Sequence, residues 1–244
     1  MAAALTPHTI ALVWLGAFLG ALAAGGAGFA FALTASSVWL HALDPLHTTA
    51  LVVACGSILH VGLVWPMRLY IEPRRLAPFL LGGMIGIPLG VYLLTFARAD
   101  AIRTALGAFL LLYGLFALLT PRLPEVKGGG RPADAAVGFV GGLLGGLGGY
   151  SGVLPSIWTQ LRGWPKHTAR GVYQPYILAA HLTTLALIGF VALDRAGLIL
   201  LVLALPPLAL GAFLGFRIYG RLDERRFRQV LAGLLAASGL ALVL

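Results

Sequence analysis

The chain has 244 residues, of which 59% are apolar and 10% charged, against roughly 25% charged in an ordinary soluble domain. With a mean hydropathy of +0.94, a soluble fold of this size could not hide its apolar surface, which excludes a cytosolic enzyme, a disordered chain and a nucleic-acid binder. Lys plus Arg number 17 and Asp plus Glu 8, a formal net charge of +9; in a bilayer such a surplus reports which loops face the cytoplasm.

The charged residues divide the chain into eight uncharged stretches: 1–43, 45–67, 76–97, 104–121, 135–161, 171–193, 196–216 and 229–244. A helix of about 20 residues crosses the hydrocarbon core. The stretches at 45–67, 76–97, 104–121, 171–193 and 196–216 each predict one crossing. The last predicts a sixth, if it begins near Glu224 with its arginines reaching the interface. The first stretch is too long for one crossing, and 135–161 carries a run of glycines. None alternates in polarity, which disfavours a β-barrel. The opening MAAALTPHTI lacks the positive flank of a cleaved signal peptide. Cys55, the single cysteine, reads as a small buried side chain.

The chain reads as a duplication. Residues 86–119 align with 211–244 at a constant offset of 125, pairing Gly86, Gly90, Arg103 and Gly114 with Gly211, Gly215, Arg228 and Gly239. Earlier, Pro45-Leu46-His47-Thr48 matches Pro165-Lys166-His167-Thr168, and His60 and His181 follow at nearly equal intervals. The clusters Gly25-Gly26-Ala27-Gly28 and Gly148-Gly149-Tyr150-Ser151-Gly152 correspond as well. These matches predict repeats over 1–120 and 135–244, joined by a proline- and glycine-rich linker at 121–134.

Each repeat opens with its glycine cluster inside an apolar stretch. Such a stretch is either a continuous helix whose glycines serve packing or a re-entrant hairpin that turns at the glycines and leaves on the side it entered. If all eight stretches cross, the basic residues divide almost evenly between the two sides. If the first and fifth re-enter, only Arg98, Arg103 and Arg195 fall on one side and the other fourteen lie opposite. That asymmetry matches the positive-inside rule and favours re-entry. Each repeat then has one glycine-broken hairpin and three crossings. Three is odd, so the repeats are inverted, with both termini outside and the basic linker cytoplasmic. The predicted fold class is an all-α membrane protein of two inverted repeats, a common plan for secondary transporters.

The run Gly141-Gly142-Leu143-Leu144-Gly145-Gly146-Leu147-Gly148-Gly149, leading to Leu154-Pro155, resembles the glycine-rich opening of each repeat in the TauE/SafE family of sulfite and organosulfonate exporters. Gly86-Ile87-Pro88-Leu89-Gly90 and Gly211-Ala212-Phe213-Leu214-Gly215 are similar to that family's small-residue motif in the third helix of each half. The resemblance covers nearly the whole chain. It implies movement of small sulfur-containing anions across the inner membrane. The first half departs from the pattern, because Phe29-Ala30-Phe31 follows Gly28 with no proline matching Pro155.

With a small anion as the implied substrate, the broken helices supply a site. A helix beginning after a glycine turn points its N–H groups and positive dipole end at the ligand. In the second half the expected donors are Gly148, Gly149, Tyr150, Ser151 and Gly152, with the Ser151 hydroxyl alongside; in the first half they are Gly26, Ala27 and Gly28. The alternative is that these glycines serve helix packing alone. His60 and His181 are the next candidates, since intramembrane ionisable residues are costly and often functional. Each donates to an oxyanion or carries a coupling proton; the alternative is a neutral histidine bonded between helices. Gln174, beside the helix-kinking Pro175, completes the set. Tyr173, Tyr176 and residues 180–184 share its segment.

His41, Asp44 and His47 have a spacing of three, but Asp44-Pro45 reads better as a helix start than as part of a metal site. Arg217 to Arg228 reads as a lipid-headgroup segment. No cofactor or metal is called for. An intramembrane enzyme lacks a mid-span carboxylate or nucleophile-base set, and an ATP-binding Gly-x-x-x-x-Gly-Lys motif is absent. A coupled carrier of a small anion is the leading expectation, with an uncoupled anion channel or a carrier of another small anion as the alternative. Its partners are the bilayer, the anion and, as an open option, a coupling proton.

Overall fold

The computed structural model describes residues 5–96, 98–119, 126, 128–219 and 224–243. Among them lie ten α-helices: α1 (Pro7–Ala27), α2 (Phe31–Trp39), α3 (Pro45–Met67), α4 (Pro73–Phe96), α5 (Ala99–Leu119), α6 (Gly130–Gly148), α7 (Val153–Leu161), α8 (Lys166–Ala192), α9 (Arg195–Tyr219) and α10 (Glu224–Val243). The helix starts follow local chemistry. Thr6 Oγ1 accepts from the Thr9 N–H at 3.1 Å and Pro7 takes the first helical position of α1. Asp44 Oδ1 accepts from the N–H groups of Leu46 and His47, with Pro45 opening α3. Proline suits that position because its missing N–H would have no helical partner there.

The helices fall into two series of five. Their lengths run 21, 9, 23, 24 and 21 residues in the first series and 19, 9, 27, 25 and 20 in the second. The nine-residue helix comes second in each series, directly after a glycine cluster. α6 starts at Gly130, inside the segment expected to be linker; Pro132 is tolerated in its first turn. Residues 121–125 and 127 of that segment lie outside the described residues.

Each short helix folds back along the long helix before it. Trp39 of α2 packs at Gly16, and its Nε1 donates to the Val13 carbonyl at 3.1 Å, while Phe31 packs at Gly20. In the second series Ser151 packs at Gly145 and Pro155 at Gly141, and Trp158 Nε1 donates to Asp134 Oδ1 at 2.7 Å. The chain then leaves this hairpin beside its entry: the Val126 N–H donates to the Leu161 carbonyl at 2.6 Å and Arg162 donates to the Gly128 carbonyl at 2.8 Å.

Between the series, α1 packs along α9 and α6 along α4, so exchanging the two series exchanges these two pairs. The small-residue motifs make the contacts. Gly82, Gly86 and Gly90 lie against the backbone of residues 135–146, and Gly211 and Gly215 lie against the Phe18 and Leu22 carbonyls. A methyl group at any of these positions would collide with backbone. α3 pairs with α8 and α5 with α10. Both pairs are antiparallel: Gly107 faces Leu242 while Gly114 faces Ala232 and Ala236.

The outer faces are apolar. Trp65, Leu81, Ile85, Leu112, Val202 and Phe213 are exposed, as lipid-facing side chains are. Five helices among the described residues are long and apolar enough to cross a membrane, and α1, over Pro7–Gly25, is one of them. Cation–π pairs of Arg68 with Trp65, Arg75 with Trp164 and Arg162 with Trp158 gather at one end, where amphipathic side chains mark a membrane interface.

Candidate functional site

The two glycine breaks and the middles of α3 and α8 meet at one place. Gly28 ends α1 in the left-handed region at φ 79, and Gly149 ends α6 at φ 78, a conformation that glycine adopts without steric cost. Gly28 lies against Tyr173 and Gln174 of α8, and Gly149 lies against Val52 and Val53 of α3. These positions are related by one offset of 121, which also relates His60 to His181. The two breaks therefore occupy equivalent seats, each on the opposite half's third helix. Along α3 the chain passes Gly149 first and Gly28 later; along α8 the order reverses, so α3 and α8 run antiparallel through the site.

The two imidazole rings meet edge to face with centroids 5.3 Å apart. His60 Nδ1 donates to the Gly56 carbonyl at 2.9 Å, and His181 Nε2 donates to the Gly149 carbonyl at 3.1 Å. Because a carbonyl only accepts, these bonds fix the tautomers: a neutral His60 carries its lone pair on Nε2 and a neutral His181 on Nδ1. The His60 ring also lies beside the Gly28 carbonyl, with Nε2 short of hydrogen-bond geometry. Gly56 is glycine because a Cβ there would sit 2.6 Å from the His181 ring. Gln174 Nε2 donates to the Gly28 carbonyl at 2.9 Å.

All of these side chains are deeply buried: His60 and His181 are 1% exposed, Gln174 2% and Ser151 0%. Four of their polar atoms have no hydrogen-bond partner: His60 Nε2, His181 Nδ1, Gln174 Oε1 and Ser151 Oγ. Buried polar groups are nearly always satisfied; the other such atoms among the described residues are the hydroxyls of Thr34, Thr48 and Thr184.

The expected donors are only partly where the sequence placed them. Gly26 and Ala27 are the last helical residues of α1, and the Gly28 N–H donates to Ala24 O at 2.8 Å. These residues end a helix, so they present carbonyls where N–H groups were expected. The N–H groups that helix geometry leaves without a partner in the first half come after the break, at the start of α2. In the second half, Gly148 is helical, and the N–H groups of Gly149 and Tyr150 donate to the carbonyls of Gly145 and Leu144. Those of Ser151 and Gly152 take no backbone partner among the described residues. Tyr150 turns away to the first half, where its hydroxyl lies 2.7 Å from Ser36 Oγ; Ser36 in turn donates to the Ala32 carbonyl, so Tyr150 is the donor to Ser36. Tyr150 thus ties the second break to α2, a role the sequence did not reveal. Thr49, donating to the Leu147 carbonyl at 3.0 Å, does the same from α3. A hydroxyl within an apolar run carries no mark of which turn it braces.

The triplet His41, Asp44 and His47 lies elsewhere. Asp44 caps α3 and its Oδ2 lies 2.6 Å from His47 Nδ1. Here a cavity of about 280 Å³ is lined by His41, Asp44, Asp100 and Arg103. Arg103 donates to the Leu40 carbonyl. Burial, and then the Arg103 guanidinium, hold His41 below the usual histidine range.

A buried polar junction between two helix hairpins, enclosed by helices whose outer faces are apolar, defines a polytopic membrane protein. The family model described as sulfite exporter TauE/SafE matches residues 10–242. The chain belongs to that family of membrane transport proteins. No curated protein and no solved structure is matched by the chain.

Proposed function

We propose that this protein is a secondary-active exporter of a small sulfur-containing anion, sulfite or an organosulfonate, working by alternating access around the junction of its two breaks. The observation that carries the reading is the convergence of Gly28, Gly149, Gln174, His60 and His181 in one buried place, with three polar atoms there lacking partners and a fourth, Ser151 Oγ, two residues past Gly149. The N–H groups of Ser151 and Gly152 open α7 and offer donors to an oxyanion, aided by the positive end of that helix.

The arrangement also supports two repeats, 1–120 and 135–244, in opposite orientations. α3 is antiparallel to α8 and α5 to α10, as an axis in the membrane plane requires of corresponding helices. Re-entry of the two hairpins is supported by the meeting of Val126 with Leu161 and by the fourteen-to-three division of basic residues. On this reading α1 enters tilted, both termini lie outside, and the basic linker is in the cytoplasm of a cell with an inner membrane. The occluded site then opens to either side as the hairpins shift against α3 and α8.

The test is transport. The protein is reconstituted into vesicles, and uptake of sulfite, methanesulfonate and thiosulfate is followed with and without a pH gradient. Saturable uptake with counterflow is expected of a carrier. Flux that follows voltage without saturation would establish a channel instead, and no flux of any of the three would remove the reading.

A further inference from the structure

We infer that the site loads one proton together with each anion and that the His60–His181 pair is where the proton sits. This rests on the proposed anion site. The hydrogen bonds leave the junction rich in acceptors: the two imidazole lone pairs and Gln174 Oε1 are buried without a donor. An oxyanion brings only further acceptors, and among these side chains only the Ser151 hydroxyl is an unpartnered donor to meet it. A single proton changes the balance. His60 lies beside two carbonyls, Gly56 and Gly28; a neutral ring serves one of them, whereas an imidazolium serves both. The protonated Nε2 of His60 would then mirror the bond that His181 already makes to Gly149.

The pair takes one proton and not two. Two imidazolium rings 5.3 Å apart in a medium of low dielectric repel strongly, so the first proton suppresses the second. The surroundings hold no rival seat. On α3 and α8, His47, Lys166, His167 and Arg170 lie in the first two turns, away from the pair; the titratable groups deeper in the packed elements are Cys55 on α3, Tyr150 in the second break, and Tyr173 and Tyr176 on α8, of which Tyr150 is bonded to Ser36 and Tyr176 donates to the Gly138 carbonyl. Asp134 is the one buried carboxylate among the described residues, and it is engaged by Trp158 near the start of α6. No lysine or arginine is buried among the described residues. The imidazolium is therefore the positive charge that meets the anion. Reciprocity follows: the anion raises the site's affinity for the proton by the same factor as the proton raises its affinity for the anion.

Methanesulfonate is the probe, because it stays fully ionised between pH 5 and 8 and any pH dependence belongs to the protein. Binding to the purified full chain is measured by calorimetry in buffers of different ionisation enthalpy, which reads the protons taken up. Uptake of about one proton per anion at pH 7.5 to 8 is expected, with apparent affinity rising about tenfold per pH unit of acidification until the pair saturates. His60→Gln and His181→Gln are expected to lose the proton uptake and flatten the pH dependence. Binding of methanesulfonate by the unaltered protein at constant affinity and without proton uptake overturns the inference while leaving the anion site standing. Proton uptake retained in both variants overturns its assignment to the pair. Failure of both methanesulfonate and sulfite to bind at any pH removes the anion site and this inference with it.

Discussion

Gln174 of α8 reaches across to the other half of the molecule and donates its amide to the carbonyl of Gly28 at 2.9 Å. The equivalent seat in the second half pairs Gly149 with Val53, which has no polar group to offer. The two seats thus differ in their polar lining, with Tyr173 and Gln174 facing Gly28 where Val52 and Val53 face Gly149.

Replacing Gln174 by Leu leaves the Gly28 carbonyl buried without its donor. The expected cost is about 1–3 kcal/mol of stability, read as a lower unfolding midpoint in detergent, together with weaker sulfonate binding. Gln174→Glu keeps the shape but offers an acceptor to a carbonyl, and should bind sulfonate more weakly still at neutral pH. Unchanged binding in both variants would separate Gln174 from the site.

Gly28→Ala and Gly149→Ala each place a methyl on a backbone at positive φ, 79 and 78. The conformation alone costs about 1–2 kcal/mol. The added carbon would also lie 2.6 Å from Gln174 Nε2 in one case and 2.6 Å from Val52 Cγ1 in the other. Both variants should unfold at lower temperature and lose transport. Gly62→Ala is the control: it is helical with open space around it, so its midpoint should hold or rise slightly.

Asp134 is 5% exposed and accepts from Trp158 Nε1. Asp134→Asn keeps a carbonyl oxygen there and should unfold close to the unaltered protein. Asp134→Leu strands the indole N–H and should cost about 1–3 kcal/mol. Equal midpoints for the two variants would show that the contact does not hold the second hairpin closed.

His41 titrates below the ordinary histidine range because of burial first and Arg103 second. Arg103→Gln should raise its titration midpoint part of the way back, measured by NMR of the ring protons. The sign for stability follows from the folded value lying below the unfolded one, near 6.5. His41 costs nothing above that range, and stability falls as pH drops through it, because the unfolded chain takes the proton more readily. The fall should be shallower in Arg103→Gln. A downward shift on removing Arg103 would contradict the electrostatic cause.

The proposed topology is checked by reporters fused after residue 244. A phosphatase that works only outside should be active there, and a fluorophore that matures only in the cytoplasm should be dark. The opposite pattern would return the first and fifth stretches to full crossings.

Much of the helix plan was legible from the charges. Stretches expected as crossings became α3, α4, α5, α8 and α9, with ends a few residues from the first charged residue on either side, because a long apolar run in lipid must satisfy its backbone within itself. Glu224 does open α10. The breaks after Ala27 and Gly148 were legible because glycine clusters there stood out within apolar runs. What composition could not give was the role of each glycine. Gly86 and Gly211 hold helices together, Gly28 and Gly149 turn the chain and present carbonyls, and Gly56 makes room for a histidine ring. The same residue type serves all three, and only the neighbour across the interface tells them apart.

By itself the sequence determined the solvent and most of the segment boundaries, and it set the two histidines at matching positions of the expected duplication. All of these depend on residue type and spacing along one chain, where hydration and helix geometry act locally. Only the tertiary structure decided that the histidines meet, which nitrogen of each bears the hydrogen, that Gln174 reaches Gly28 across the halves, and that Gly26, Ala27 and Gly28 end a helix instead of beginning one. Those facts follow from how antiparallel α3 and α8 seat the two turns against each other, a contact between residues more than a hundred positions apart that no local pattern encodes.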